Sequence, residues 1–291
     1  MHRLLIALSL LLTFGSVANA QINVSLEVKR RTYFRYEPVL ATVTIQNLAG
    51  RDLVLEDGSA PWFGFTVLQG DSQTLLPPRN PDYQNDPLEI KINETIKRTV
   101  NLTQLFALTE YGTHRIRANI YSKQLDKYFT TKTAIIDINE ARTVWKQVVG
   151  VPETLPNAGK MHEFTLLSGE GLKHQYLYCR ITEQETGKVF CMNKIGHIID
   201  GAPFDAQFDA TNTLNVLQLA GPKTYALTQV GVNGEVFGQW TYDAPKGRPF
   251  LRRDGTGNVE IVGGQRRVEA AKNAAPPPKL SDRPAGLPAA R

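Results

Sequence analysis

Between Tyr36 and Asn47 the chain reads Tyr-Glu-Pro-Val-Leu-Ala-Thr-Val-Thr-Ile-Gln-Asn, with an aliphatic residue at every second position from Val39. Val39, Ala41, Val43 and Ile45 fall on one side of an extended strand, and Leu40, Thr42, Thr44 and Gln46 on the other. A strand of this kind is half buried and must lay its aliphatic face on a second sheet. Pro38 has no N–H to donate to a ladder, so it belongs at the strand's first residue. Asn47 with Ala49-Gly50 supplies the turn chemistry that ends it.

The neighbouring segments supply partners for this strand. Ile22 to Val28 alternates in the same way, and Asp52 to Glu56, Pro61 to Gln69, Thr95 to Leu102, Tyr111 to Tyr121 and Lys127 to Ile138 follow with turn residues between them. Seven or so short strands at this spacing predict an antiparallel sandwich over residues 21–138. The Glu37-Pro38-Val39 opening, Trp62 on a middle strand and Glu110-Tyr111-Gly112-Thr113-His114-Arg115-Ile116 late in the segment together resemble an immunoglobulin-like sandwich. In that family's corner motif a tyrosine stands where this chain has His114, and antibody domains have a cysteine where it has Ile116.

Ahead of the sandwich, His2 and Arg3 precede an apolar run from Leu4 to Phe14, and Ala18-Asn19-Ala20 makes a small-x-small cleavage site. This pattern predicts a secretory signal peptide over residues 1–20 and a secreted or periplasmic mature chain. The run is too short for a bilayer helix, which needs about 20 apolar residues, and no later stretch is apolar enough to span. Charge narrows the partners. Setting aside the one Arg of residues 1–20, and six Lys or Arg against two acids in residues 265–291, leaves 26 basic and 26 acidic residues in the body. The basic balance belongs to the tail, and a nucleic-acid role loses its support. That tail, with Pro276-Pro277-Pro278, Pro284 and Pro288 among Ala, Lys and Arg, is expected to be disordered.

Asn139 is placed to cap a helix from Glu140 to Val149, with Gly150 to end it and Val144/Val148 and Trp145/Val149 four apart on one face. A short connecting helix and a linker are therefore expected over residues 139–160. Residues 161–264 carry a faint repeat. Pro203-Phe204 to Asp209, Leu214 and Val216 recurs 45 or 46 residues on as Pro249-Phe250 to Asp254, Val259 and Ile261. Thr186-Gly187-Lys188-Val189-Phe190 recurs 47 on as Asn233-Gly234-Glu235-Val236-Phe237, and Asn-Gly is a strong hairpin signal. The spacing resembles β-propeller blades, with material for little over two, so a second β domain built from hairpin repeats is expected. Cys179 and Cys191 are the only cysteines. A turn centred on Glu185 would set them opposite each other, and export favours an expected cross-strand disulfide.

Chemistry is harder to find than architecture. There is no His-Glu-x-x-His, no Gly-x-Ser-x-Gly and no phosphate-binding glycine loop. His162-Glu163 and Asp205 with Asp209 are the nearest approaches to an acid–base set, and a surface role for His162 and a turn role for Asp209 are the expected ones. Phe63, Phe65 and Val67 share one face as core residues, which leaves Trp62 at the strand start as a candidate for exposure. Trp62 and Tyr83, the latter in the proline-rich excursion Leu76 to Pro87, are the candidate ligand-binding aromatics. Lys29 to Tyr36 interleaves cations with aromatics and is expected to be a solvated loop. Neither a cofactor nor a metal site is expected. The signal-peptide pattern, the run of strands and the lack of a catalytic constellation point to an exported non-catalytic binding or scaffolding protein with a protein or polysaccharide partner. The alternatives are a carbohydrate-active hydrolase with its site on the second domain, or a subunit of a larger assembly.

Overall fold

A computed structural model describes residues 22–58, 60–80, 84–170 and 175–267. The expected signal peptide, Tyr83 and the stretch beyond Arg267 lie outside the described residues. The fold is all-β. In the first half, β1 (Ile22–Val28), β3 (Leu40–Asn47) and β8 (Thr95–Asn101) form one antiparallel sheet in the order β1-β3-β8. A second sheet runs β2-β11-β9-β5-β6, made of β2 (Thr32–Phe34), β5 (Phe63–Gln69), β6 (Thr74–Leu76), β9 (Gly112–Ser122) and β11 (Ala134–Asn139), and β10 (Lys127–Thr130) pairs with the far end of β9. β4 (Leu53–Leu55) and β7 (Leu88–Ile90) make a separate small pair.

The alternation read in the sequence decides how these sheets meet. Val39, Ala41, Val43 and Ile45 are each fully buried. Val43 and Ile45 share a cluster with Phe63, Ala118 and Ile120, while Val39 and Ala41 share one with Val67, Ile116 and Ile136. Burying one such aliphatic side chain is worth roughly 1.5–3 kcal/mol, so this single face anchors the unit. The start of β3 is locked as well. The Thr103 hydroxyl donates to the Glu37 carbonyl at 2.8 Å and accepts from the Val39 N–H at 3.1 Å. Thr103 is held in α1 (Leu102–Leu105), the one helix among the described residues.

The second half begins earlier than the sequence implied. Residues Arg142–Gly150 are not a helix but strand β12, which pairs with β13 (Met161–Glu170) and continues through β14 (Gln175–Glu183) to β15 (Val189–Ile198) in a four-stranded antiparallel sheet. A spacing of four is one helical turn and also two strand periods, so Val144/Val148 and Trp145/Val149 fit either element. A register shift between Thr143 and Trp145 further breaks the period-two signal. Residues 151–160 close a β12–β13 hairpin, with the Val151 N–H on the Lys160 carbonyl at 2.8 Å, and are no linker between domains.

A second sheet follows with β16 (Asp205–Phe208), β17 (Leu214–Gly221), β18 (Thr224–Val230), β19 (Val236–Asp243) and, added to its edge, β22 (Gln265–Arg266). The last pairing puts Gln265 and Arg266 in the sheet, inside the stretch expected to be disordered. Phe164, Leu166, Leu177, Ile181 and Ile195 from the four-stranded sheet pack on Phe208, Leu214, Val216 and Val230 from this one. The remaining hairpin, β20 (Phe250–Arg253) with β21 (Val259–Val262), lies beside β16, where Asp205 accepts the Leu251 N–H at 3.1 Å and Gln207 donates to the Leu251 carbonyl at 3.0 Å.

The faint repeat has a structural counterpart in two turns. Asp209 accepts from the Thr211 N–H, the Thr211 hydroxyl and the Thr213 N–H, at 2.9, 2.7 and 3.0 Å. Forty-five residues on, Asp254 accepts from the Thr256 N–H, the Thr256 hydroxyl and the Asn258 N–H, at 2.9, 2.7 and 2.8 Å. Each turn passes through a left-handed residue three positions after its aspartate, Asn212 in one and Gly257 in the other.

Candidate functional site

The two β units meet around the segment from Lys29 to Glu37. Alternating cations and aromatics there predicted a solvated loop, yet Tyr33 and Phe34 are buried. Glu37 is the reason. Its carboxylate, 5 % exposed, takes the Arg30 guanidinium on one oxygen at 2.5 Å and the Phe34 N–H on the other at 3.0 Å. The Arg30 guanidinium also lies over the Tyr33 ring at 4.4 Å. A carboxylate this buried is tolerable because it is paired and hydrogen-bonded at the same time. Closing the loop on itself turns the Phe34 side chain outward from its own unit.

Phe34 then packs into the second unit, in a cluster with Leu167, Tyr178 and Met192. Gly169 on β13 makes room for it, since a Cβ at that position would fall within the Phe34 ring. The Tyr178 phenol sits beside the Arg30–Glu37 pair. Burial and the Glu37 charge push its pKa up to about 12, so it is neutral at any physiological pH.

Two hollows flank this contact, and both include Phe34 and Glu140 in their walls. The larger is an open cleft of about 460 Å³ that also takes in Asn139, Arg142, Ser168, Gln175 and Asp200. Arg142 and Asp200 are paired at 3.7 Å, and the Ser168 hydroxyl reaches Gln175 Oε1 at 3.4 Å. Two amide-bearing side chains, a hydroxyl and a charge pair thus converge between the units, and a lining of mixed donors and acceptors suits a polar ligand. The smaller hollow, of about 90 Å³, is bounded by Arg35, Tyr111, Arg180 and Met192.

The residues singled out in the sequence lie elsewhere. Trp62 is no exposed platform. It is fully buried, with its N–H on Asp57 at 2.8 Å and its indole Nε1 donating to the Asp86 carbonyl at 3.0 Å. The segment around Asn85 folds over it, held by the Asn85 N–H on the other Asp57 oxygen at 2.8 Å. Tyr83 lies outside the described residues. His162 is not on the surface but fully buried, its Nδ1 at 2.9 Å from the Val232 carbonyl.

The expected disulfide is absent: Cys179 and Cys191 are free thiols. Register separates them. Cys179 faces Asn193 and Cys191 faces Ile181, so each partner lies two residues from where a turn centred on Glu185 would put it. Burial pushes both thiols up, Cys191 to about 11 and Cys179 further. Among the described residues, no group of three or more His, Cys, Asp or Glu is placed to hold a metal ion.

The junction itself was missed in the sequence. Phe34 and Arg35 sit in a segment whose composition reads as a surface, and Asn139, Ser168 and Gln175 carry no motif. The available signal was the Arg30–Glu37 spacing around three aromatics, which marks a loop that closes on itself. No protein-family model matches this chain, and a search of the curated proteins finds no match either.

Proposed function

We propose that this chain is an exported, non-catalytic binding protein that holds a polar ligand, a glycan segment, in the cleft between its two β units. The observation that carries this reading is the convergence of Asn139, Ser168, Gln175 and the Arg142–Asp200 pair on one open cleft of about 460 Å³. Side-chain amides offer a donor and an acceptor side by side, which matches the adjacent hydroxyls of a sugar ring. Junctions between packed units are a usual place for such sites. Export rests on the N-terminal pattern of charge, apolar run and small-residue cleavage site. In this reading the first unit is an immunoglobulin-like sandwich, and the second is a stack of propeller-blade-like sheets ending in the lone β20–β21 hairpin, with the shared Asp209 and Asp254 turns in support. None of the described residues forms a helix long and apolar enough to cross a membrane.

Calorimetric titration of the mature chain with a panel of neutral and acidic oligosaccharides tests the proposal. Binding of at least one, abolished in Asn139→Trp because the exposed Asn139 position then fills the cleft, is the expected result. Equal binding by parent and Asn139→Trp would remove the cleft from the account. Release of shorter sugars from the bound glycan would replace the binder with a hydrolase.

A further inference from the structure

We infer that the smaller hollow at the junction is an oxyanion subsite, in which Arg35 and Arg180 together bind one carboxylate, sulfate or phosphate group; this rests on the reading of the junction as a binding site. Arg35 follows β2 in the first unit and Arg180 lies on β14 in the second, so the two cations come from different halves of the molecule. The Nε of each is buried with no hydrogen-bond partner among the described residues. Nor does either guanidinium form an ion pair with a described carboxylate. Glu140 stands in the same wall but is exposed and forms no ion pair with either, while Tyr111 is a side-chain hydrogen-bond partner of Arg35.

A buried N–H of a charged group with no acceptor is costly, and native structures supply a partner for such donors almost without exception. Here the two arginines that carry such groups border one hollow of about 90 Å³. By the same measure a single water needs roughly 10–15 Å³, so there is room for a polyatomic group. Water would satisfy the N–H groups but would leave two like charges facing the same small space. An oxyanion satisfies both requirements, because its oxygens accept from the planar forks of both guanidinium groups while its charge offsets theirs. Arg35 is already held in place for this, its guanidinium lying over the Tyr36 ring at 5.0 Å and the Tyr111 ring at 5.4 Å.

The test is calorimetric titration of the full mature chain with sodium sulfate, sodium phosphate and sodium acetate, at an ionic strength held constant with chloride. One saturable site is expected, and Arg35→Gln and Arg180→Gln should each weaken it at least tenfold. Arg180→Lys, which keeps the charge but loses the fork, should weaken it less. The acetate arm against the sulfate and phosphate arms tells a carboxylate site from a tetrahedral one. A saturable rise in the melting temperature of the parent chain, absent with chloride, should accompany binding and does not depend on any variant folding well. No saturable heat with any anion, or equal affinity in folded Gln variants, would show that the hollow holds only water. Anion binding without binding of any glycan would remove the glycan reading alone, and glycan binding indifferent to both arginines would remove the oxyanion subsite alone.

Discussion

Phe34 meets Tyr178 edge to face, with ring centroids 5.3 Å apart and planes at 69°, and this contact ties strand β2 of the first unit to β14 of the second. Edge-on aromatic pairs of this kind contribute about 0.5–1.5 kcal/mol beyond the area they bury. The pair is held from both sides, by Gly169 beneath the Phe34 ring and by Glu37 on the Phe34 backbone. The two β units therefore share a small core, and both hollows open beside it.

Adding a methyl group at Gly169 should disturb that core. Gly169→Ala is expected to destabilise the protein by about 1–3 kcal/mol, the usual cost of overpacking. Phe34→Leu should recover part of the loss when combined with it, giving a non-additive double-mutant cycle in urea unfolding. Additive effects would mean that the ring does not rest on Gly169.

Removing the Glu37 carboxylate leaves Arg30 without its acid and the Phe34 N–H without its acceptor. Glu37→Ala should therefore cost roughly 2–4 kcal/mol in denaturant unfolding, tempered by the partial exposure of Arg30. Arg30→Met should cost more than Glu37→Ala if the buried carboxylate is the group that suffers from being left alone. Equal costs would point to lost packing in place of an unpaired charge.

His114 gives the stability a pH dependence. It is fully buried, its Nδ1 faces the Gly112 carbonyl at 3.1 Å, and burial lowers its pKa below the ordinary value. The unfolded chain then binds a proton more readily than the folded one, so the stabilisation is complete above about pH 6.5 and is lost as pH falls toward the lower folded value. The slope in that window should approach, at most, about 1.4 kcal/mol per pH unit. Unfolding curves taken across it should flatten in His114→Phe; an unchanged slope would assign the effect to another group.

The two thiols should behave as core groups. Cys179 is fully buried and Cys191 partly so. A thiol reagent at mildly alkaline pH should titrate Cys179 only at the rate of unfolding, and both cysteines promptly in denaturant without reductant. A denatured chain with no reactive thiol before reduction would show that the pair had oxidised.

Much of the architecture can be read from single strands because a sheet face is a local property. Side chains two apart point the same way whatever lies opposite, so Val39, Ala41, Val43 and Ile45 declare a buried face by themselves. The turns at Asp209 and Asp254 are equally local, each aspartate bonding to groups within four residues. Where a local pattern has two solutions, the sequence leaves the choice open. The four-residue spacing over Val144 to Val149 fits a helix or a strand, and only pairing with β13 made it a strand.

What the chain alone determined, then, was a set of half-buried strands and the hairpins joining them. Tertiary structure decided everything that depends on a partner distant in sequence. Trp62 became core because Asp86 came to cover it, the cysteines missed each other by two residues of register, and Phe34 crossed into another unit because Glu37 closed its loop. The candidate site belongs to this second class. Asn139, Gln175 and Asp200 carry no spacing that foretells their meeting, since the hydrophobic packing of two separate sheet systems, not any motif, sets the distance between them.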